Sequence, residues 1–362
     1  MGDMIRYKHW MKILKPSVTE ALTSNEQVLH LKNNFLSRKN IEFPQFIGLM
    51  LSRVCDANCI FCPIWKVSSY SERKFMPLQG VKKVAEELSE RNYCGVINLG
   101  ENGDALLNPD FKEIVKLLND YVPNASIILY TSAKYLDEQT SHFLLDHGLS
   151  HLTLNIDGAS KTTYEFSKRG CNFEKVRENL KNFIKIRNSS ESNCRITIWI
   201  LPPKRYVEVR KGKRINISYD ADGIINYWSK YLSRKDTINE VIYFYNWMSR
   251  PQKIKRDKSC PLIWEILEKC FISTEGNAYF CCLDYTTKLV YGNILESSIY
   301  ILWNGKKRRE IISKIIQKKF DDVGEPCLHC NEKNDYLRCY LNYLKYATRV
   351  DVGQTAKQYP LY

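Results

Sequence analysis

Three cysteines lie within eight residues of this chain, Cys55, Cys59 and Cys62 in the run VCDANCIFCPIW, and their spacing limits what the chain can be. Structural zinc sites usually contain two CxxC pairs, and a [4Fe–4S] cube held only by protein takes four thiolates. Three close thiolates therefore imply a cube with one unligated iron, where chemistry can take place. Cysteines clustered by chance or for packing are the bland alternative, which is disfavoured because free cysteine is an uncommon residue.

The pattern C-x3-C-x-aromatic-C resembles the signature of the radical S-adenosylmethionine (SAM) superfamily, and Phe61 stands where that family places a ring against the adenine. The resemblance implies that SAM chelates the open iron of a [4Fe–4S] cluster. It also implies reductive cleavage of SAM to a 5′-deoxyadenosyl radical, which abstracts hydrogen from the substrate. The cofactor then does the difficult chemistry, and the protein orients the reactants and excludes water.

Composition is consistent with a globular enzyme. The 362 residues are 44% hydrophobic, enough for one large α/β domain and a smaller one. The basic, aromatic start IRYKHWMKILK is unlike a signal peptide, so the 13 cysteines indicate a reducing cytoplasm rather than disulfides. No apolar run is long enough to span a membrane. The net charge of +14 is dispersed, which suits phosphorylated small molecules but makes nucleic acid an improbable partner.

From residue 46 onward, apolar runs alternate with amphipathic stretches, which predicts βα units and a parallel sheet. We predict an α/β fold: a partial (β/α)6 radical SAM barrel with a small C-terminal twitch/SPASM-like Fe–S module. The predicted strands are 46–54, 94–100, 125–131, 151–157, 195–201 and 240–246, and the predicted helices are 78–91, 108–121, 137–148 and 173–187. The predicted divisions are an N-terminal extension (1–45), the barrel (46–254) with an insertion or lid (202–238), the module (255–340) and a tail (341–362).

Several SAM contacts are implied by the resemblance, and each follows a predicted strand, where ligands bind in such folds. GENGDALLNPDF resembles the family's "GEP" segment at Gly103, Asp104 and Ala105, so Asp104 is expected to accept from the SAM ammonium. At position 104 an aspartate replaces the family's usual glutamate, so the carboxylate lies on a shorter side chain. NIDG resembles "SIDG", which places Asn155 at the ribose, and Arg169 is expected at the SAM carboxylate. A plain β-to-α turn and a surface arginine are the alternatives.

A second set of cysteines lies near the C-terminus: Cys260, Cys281 and the pair Cys327 and Cys330 in CLHC. Together with GNILESSIYILWNGKKRR, it resembles the SPASM/twitch extension, which implies that these four hold one auxiliary [4Fe–4S] cluster. A full SPASM region needs further cysteines, and only Cys339 follows. We therefore expect the shorter, single-cluster form. Four thiolates also suit tetrahedral zinc, so zinc stays open.

Two neighbouring cysteines are not assigned to that set. Cys282 competes with Cys281 as a ligand, and Cys270 is expected to pack in the hairpin formed by CFIST and AYFCC. Asp284 is a candidate substrate base, because relatives carry an aspartate just after the corresponding cysteine and oxidation of a hydroxyl releases a proton. In this chain the aspartate is shifted by two or three residues, and an exposed surface aspartate is the alternative.

The function implied is that of a radical SAM oxidoreductase. The single-cluster form is similar to that of aminocyclitol dehydrogenases, which favours oxidation or rearrangement of a small hydroxylated, sugar-like metabolite. Modification of a peptide or protein, as in sulfatase or RiPP maturases, is the alternative. We expect the roughly 45 residues before the first strand to be too few for a separate winged-helix domain that binds a leader peptide, which disfavours leader-dependent maturation. A zinc-stabilised RNA-binding module is a rival of another class, which the three-cysteine loop disfavours. An electron donor such as flavodoxin or ferredoxin is an expected partner.

Overall fold

The computed structural model describes residues 42–60, 62, 64, 74–200, 206–210, 213–217, 220–240, 260 and 262–330. Within them, the strands are β1 (Phe46–Leu49), β2 (Asn58–Cys59), β3 (Val96–Asn98), β4 (Ser126–Tyr130), β5 (Leu149–Asn155), β6 (Lys168–Arg169), β7 (Arg195–Ile200), β8 (Tyr206–Arg210), β9 (Lys213–Ile217), β10 (Thr237–Glu240), β11 (Lys269–Ile272), β12 (Asn277–Tyr279) and β13 (Val290–Asn293).

Helices alternate with the strands. They are α1 (Leu78–Glu90), α2 (Phe111–Tyr121), α3 (Glu138–Asp146), α4 (Lys161–Ser167), α5 (Phe173–Ser189), α6 (Ala221–Trp228), α7 (Ile263–Glu268), α8 (Ile299–Trp303), α9 (Lys306–Ile316) and α10 (Phe320–Val323), with single 3-10 turns at Ala105–Leu107 and Cys327–His329. Several begin at a side-chain cap typical of helix N-termini. Asp137 accepts from the Thr140 amide at the start of α3, and Ser160 and Thr163 form a capping box on α4.

One sheet joins the two parts of the described chain. Its strand order is β10-β7-β5-β4-β3-β1-β11-β12-β13. The six strands from β10 to β1 are parallel, as the partial (β/α)6 prediction requires. Strand β11 of the C-terminal module pairs in parallel with β1, and β12 and β13 follow as antiparallel hairpins. The α/β prediction is thus confirmed, and the module continues the barrel's sheet.

Alternating residues of the strands pack against the helices. Ile47 and Leu49 of β1 are fully buried in one core with Leu88 of α1 and Leu118 of α2. Each such side chain contributes about 1.5–3 kcal/mol on burial. Because successive strand residues point to opposite faces, Gly48 and Met50 lie on the face away from the helices. There Met50, Phe271 and Tyr279 form a second, smaller cluster.

The sixth barrel strand differs from the prediction. It was predicted at 240–246, after an insertion at 202–238, whereas the structure places helix α6 and strand β10 at 221–228 and 237–240. The last part of the predicted insertion thus belongs to the barrel. The strand was placed too late in the sequence because β10, TINE, is short and half polar, whereas the run VIYFY that follows it has a stronger β propensity. Residues 241–246 lie outside the described residues. In the first half of the predicted insertion, strands β8 and β9 form an antiparallel hairpin.

A buried ion pair fixes β10 beside β7. The Arg187 guanidinium at the end of α5 donates to both oxygens of Asp236 at 2.7 and 2.8 Å, and both side chains are inaccessible to solvent. Arg187 also donates to the Cys194 carbonyl, and Asp236 accepts from the Ile196 amide at 2.9 Å. Burial opposes ionisation of Asp236, but these bonds outweigh it and lower its pKa.

Candidate active site

The three clustered cysteines occupy the loop that leaves β1 at the C-terminal edge of the parallel sheet. Cys55, Cys59 and Cys62 are half-buried thiols, and the Cys62 amide donates to the Cys59 carbonyl at 3.1 Å. Burial raises the pKa of all three, to about 11 for Cys62, and at Cys55 the carboxylate of Asp104 and the other two thiols add to the effect. Desolvated, mutually repelling thiolates are stabilised by a bound metal, so the set fits a cluster.

The loop after β3 packs directly onto this cysteine loop. The Asp104 amide donates to the Val54 carbonyl at 3.0 Å. A Cβ at Gly103 would lie 2.0 Å from the carbonyl oxygen of Ser52, so only glycine permits the contact. Gly103, which the sequence assigned to the SAM site, therefore holds two loops together at the expected place.

Asp104 is buried and engaged by neighbouring donors. Its carboxylate accepts from the Leu106 amide, from the hydroxyl of Thr131 at 3.0 Å, and from the amide and hydroxyl of Ser132. Burial nevertheless raises its pKa. These bonds tie the end of β3 to the end of β4. Its expected contact with the SAM ammonium stays a prediction, and the geometry adds a structural role to it.

The other expected SAM contacts are distributed around the same edge. Asn155 is the last residue of β5 and is half buried. Arg169, expected at the SAM carboxylate, is exposed, with its guanidinium 5.7 Å from the ring centre of Phe166. The residue before it, Lys168, is buried instead. Phe61 lies outside the described residues.

The four C-terminal cysteines line one cavity. Cys260, Cys281, Cys327 and Cys330, which are up to 70 residues apart in sequence, surround it together with six apolar or proline residues, namely Leu262, Ile266, Phe280, Leu283, Leu289 and Pro326. Four cysteines that line one apolar space match the number of thiolates that a fully ligated cube requires.

Cys281 and Cys282 take different places. Cys281 lines the cavity, and its pKa is raised by a hydrogen bond with Cys282, by burial and by Cys260. Cys282 packs against the small cluster of Met50, Phe271 and Tyr279. The structure therefore favours Cys281 as the ligand. Cys270 is buried and accepts from the hydroxyl of Tyr291 at 3.0 Å, consistent with packing in the hairpin, and Cys339 lies outside the described residues.

Asp284, the candidate base, is buried rather than exposed. Its carboxylate accepts from the hydroxyl of Thr286 at 3.0 Å, from the Lys288 amide at 3.1 Å and from the Leu289 amide at 2.8 Å. These bonds close the loop after Cys281, an expected ligand of the second cluster. The base role remains a prediction, and the three bonds favour a structural role instead.

Sequence reasoning missed a second carboxylate, Glu101, which lies on the sheet face away from the helices. A Cβ at Gly48 would lie 2.8 Å from Glu101 Oε1 and 2.7 Å from Phe271. The amide of Asn98 donates to Glu101 at 2.5 Å. Burial raises the pKa of Glu101 to about 7, against the opposing effects of Asn98 and Lys269. No local motif marks it, because its neighbours come from three different strands.

This fold and these two thiol sets define a class of enzyme: a partial α/β barrel with an open cluster site at its strand ends and a second cluster module on its edge. Residues 49–210 match the family model of the radical SAM superfamily, and residues 260–331 match the SPASM model, an iron–sulfur cluster-binding domain. The chain belongs to the radical SAM superfamily, in its SPASM/twitch subgroup. It is a radical SAM oxidoreductase with SAM and [4Fe–4S] clusters as cofactors, so iron–sulfur rather than zinc fits the second thiol set.

Three relatives illustrate the range of the family. The chain is 21% identical over 298 residues to the S-adenosyl-L-methionine-dependent 2-deoxy-scyllo-inosamine dehydrogenase of Niallia circulans, covering 80% of this chain and 97% of the relative. The crystal structure of BtrN in complex with AdoMet and 2-DOIA superimposes with a TM-score of 0.54 at 17% identity, covering 80% and 93% of the two chains. Streptococcus suis SuiB bound to precursor peptide SuiA gives 0.52 at 14% identity, covering 94% and 85%. The two structural likenesses establish the fold alone.

No helix among the described residues has the length and apolar character needed to cross a membrane.

Proposed function

We propose that this enzyme oxidises a small hydroxylated, sugar-like metabolite at a carbon that bears a hydroxyl group. The observation that carries the proposal is the four-thiol cavity in the described part of the C-terminal module, in a chain that aligns with 97% of a relative named as an inosamine dehydrogenase. A fully ligated second cluster suits electron acceptance, because no iron is left open for substrate binding.

The protein's own residues have three tasks in this proposal. Cys55, Cys59 and Cys62 hold the cluster with the open iron, and the glycine contact at Gly103 brings the loop after β3 against them. Asn155 and Arg169, at the ends of β5 and β6, are proposed to orient SAM. Orientation of this kind turns a bimolecular encounter into an effectively unimolecular step.

The third task is removal of a proton. When bound, SAM and the two clusters would remove one hydrogen atom and one electron from the substrate. Conversion of the carbinol to a carbonyl also releases the hydroxyl proton, which a base of the protein must accept. Glu101 suits this task better than Asp284, because its pKa of about 7 lies near the working pH. It also faces away from the helices, as the interior of a partial barrel does.

The test uses anaerobically reconstituted protein with SAM and dithionite in place of a donor such as flavodoxin or ferredoxin. Polyols, aminocyclitols, sugars and sugar nucleotides, deuterated at their carbinol carbons, are supplied in parallel with deuterated peptides. We expect deuterium in 5′-deoxyadenosine, and a carbonyl product, from a hydroxylated small molecule. Deuterium transfer from peptides alone would establish the alternative function.

That alternative, modification of a peptide or protein, has its own support. The fold of the chain is also similar to that of SuiB, which was crystallised with a precursor peptide. The same deuterium experiment separates the two, since the label enters 5′-deoxyadenosine only from the molecule that loses hydrogen.

A further inference from the structure

A two-residue ribbon connects the cysteine loop to the segment after α4. Strand β2 pairs antiparallel with β6, so that Asn58 lies opposite Arg169 and Cys59 lies opposite Lys168. Side chains directly opposite in such a pair have Cβ atoms about 4.5–5.5 Å apart and point to the same face. The cluster ligand Cys59 and the cation of Lys168 are therefore neighbours by register.

Further contacts fix this arrangement. The Ile60 amide donates to the Ser167 carbonyl at 3.0 Å. Gly170, at φ +86°, approaches so closely that a Cβ there would lie 2.6 Å from the Asp56 carbonyl oxygen. The segment 167–170 is thus docked on the cysteine loop by backbone contacts, and its side chains are held in place relative to the cluster ligands.

Lys168 is buried, with its ammonium 3.2 Å from the carboxylate of Asp157, a side chain inaccessible to solvent. The carboxylate of Asp157 compensates the buried ammonium of Lys168, as buried charges require. Lys168 lies opposite Cys59 in the ribbon. A buried pair of opposite charges therefore lies beside one expected cluster ligand.

We propose that Lys168 is a positioning residue that sets the reduction potential of the cluster held by Cys55, Cys59 and Cys62. An electron added to a buried cluster is stabilised by a nearby cation and destabilised by a nearby anion, because potentials follow local charge and burial. The cation lies directly opposite Cys59 in the ribbon, and the carboxylate of Asp157 lies beside the cation. The inference rests on the cluster assignment and not on the proposed substrate, so its test needs no substrate.

The test is a redox titration followed by electron paramagnetic resonance on the reconstituted protein with both clusters. The signal that changes on addition of SAM identifies the cluster of interest, and its midpoint potential is then measured without SAM. We expect K168M to shift this potential to more negative values and D157N to shift it to more positive ones. K168R, which keeps the charge, is expected to stay close to wild type.

K161M is the matched control, because it removes the same formal charge from an exposed lysine at the start of α4. We expect it to leave the potential unchanged. An equal shift in K161M and K168M, an unshifted K168M, or a shift that appears only with SAM bound would overturn the proposal. If K168M fails to load iron, D157N decides: a positive shift supports the proposal and an unchanged potential refutes it.

Discussion

Two buried carboxylates, Asp284 and Glu101, differ in the number of donors that satisfy them. Asp284 accepts from two backbone amides and a hydroxyl, whereas within the described residues Glu101 accepts from the side-chain amide of Asn98. Several donors stabilise the charged form of a carboxylate and weaken it as a proton acceptor, although burial still raises the pKa of Asp284. A less satisfied carboxylate in an apolar setting can take up a proton near neutral pH.

We therefore expect E101Q and D284N to fail in different ways. With a competent substrate, E101Q should retain both clusters and SAM cleavage but lose product formation by about 100-fold or more, the usual size of a general-base effect. D284N should form product at close to the wild-type rate per loaded cluster, with lower thermal stability. Iron content, 5′-deoxyadenosine and carbonyl product, measured on the same samples, distinguish these outcomes. The reverse pattern would restore Asp284 as the base.

Glu101 also makes stability depend on pH. A carboxyl whose pKa rises from 4.5 to about 7 on folding binds its proton more tightly in the folded protein, so ionisation above pH 4.5 destabilises the fold. The destabilisation grows up to about pH 7 and is constant beyond it. Among the described residues, the titratable groups that interact with Glu101 or with its neighbour Tyr130 are Lys269, Glu265 and Cys282.

E101Q removes that ionisation. Its free energy of unfolding relative to wild type should increase between pH 4.5 and pH 7, by at most about 4 kcal/mol at roughly 1.4 kcal/mol per pKa unit. Urea unfolding at a series of pH values measures the difference. E113Q, which neutralises an exposed glutamate, serves as the control, and a pH-independent difference for E101Q would contradict the assignment.

At the scale of elements, a buried ion pair joins the end of α5 to the residue before β10. Arg187 and Asp236 are inaccessible and doubly bonded to each other. Breaking a buried pair by removing one partner leaves an uncompensated charge and costs about 3–5 kcal/mol.

R187M and D236N should each lower the free energy of unfolding by about that amount, whereas the double variant should lose much less than the sum. Chemical denaturation of the three variants checks the prediction. K116M is a suitable reference, because the ion pair of Lys116 with Glu113 is exposed and such pairs contribute about 0–1 kcal/mol. Additive losses in the double variant would show that the two residues act separately.

The elements also show where sequence reasoning succeeds and where it fails. The three-cysteine loop and the helices α1, α2, α3 and α5 depend on spacing within a few turns of chain, and these were predicted. The short helix α4 was not predicted. The neighbours of Glu101 were not, since Gly48 and Phe271 lie far from it in sequence and meet it only through the sheet order. Sequence reasoning chose Arg169 and not Lys168 as a site residue, because sequence alone does not distinguish two adjacent cations. The strand register shows that Lys168 lies opposite Cys59.

For the whole molecule, two cysteine sets predict the metal content. Anaerobically reconstituted protein should contain close to eight irons, about four per cube. The triple alanine variant of Cys55, Cys59 and Cys62 should lose about half of them and all SAM cleavage. The double alanine variant of Cys327 and Cys330 should lose the other half and retain SAM cleavage without product. Iron that is unchanged in either variant, or replaced by zinc, would refute the corresponding ligand set.

The pairing of β11 with β1 has a consequence for how such proteins diversify. Four residue pairs, from Phe46 with Lys269 to Leu49 with Ile272, form a hydrogen-bonded seam between the barrel and the cluster module. A slip of one residue along a strand turns every side chain to the opposite face. A module acquired from another gene would therefore function here only if its first strand restored both the register and the alternation. We therefore expect the barrel and the cluster module to be inherited together, because their pairing depends on one strand register.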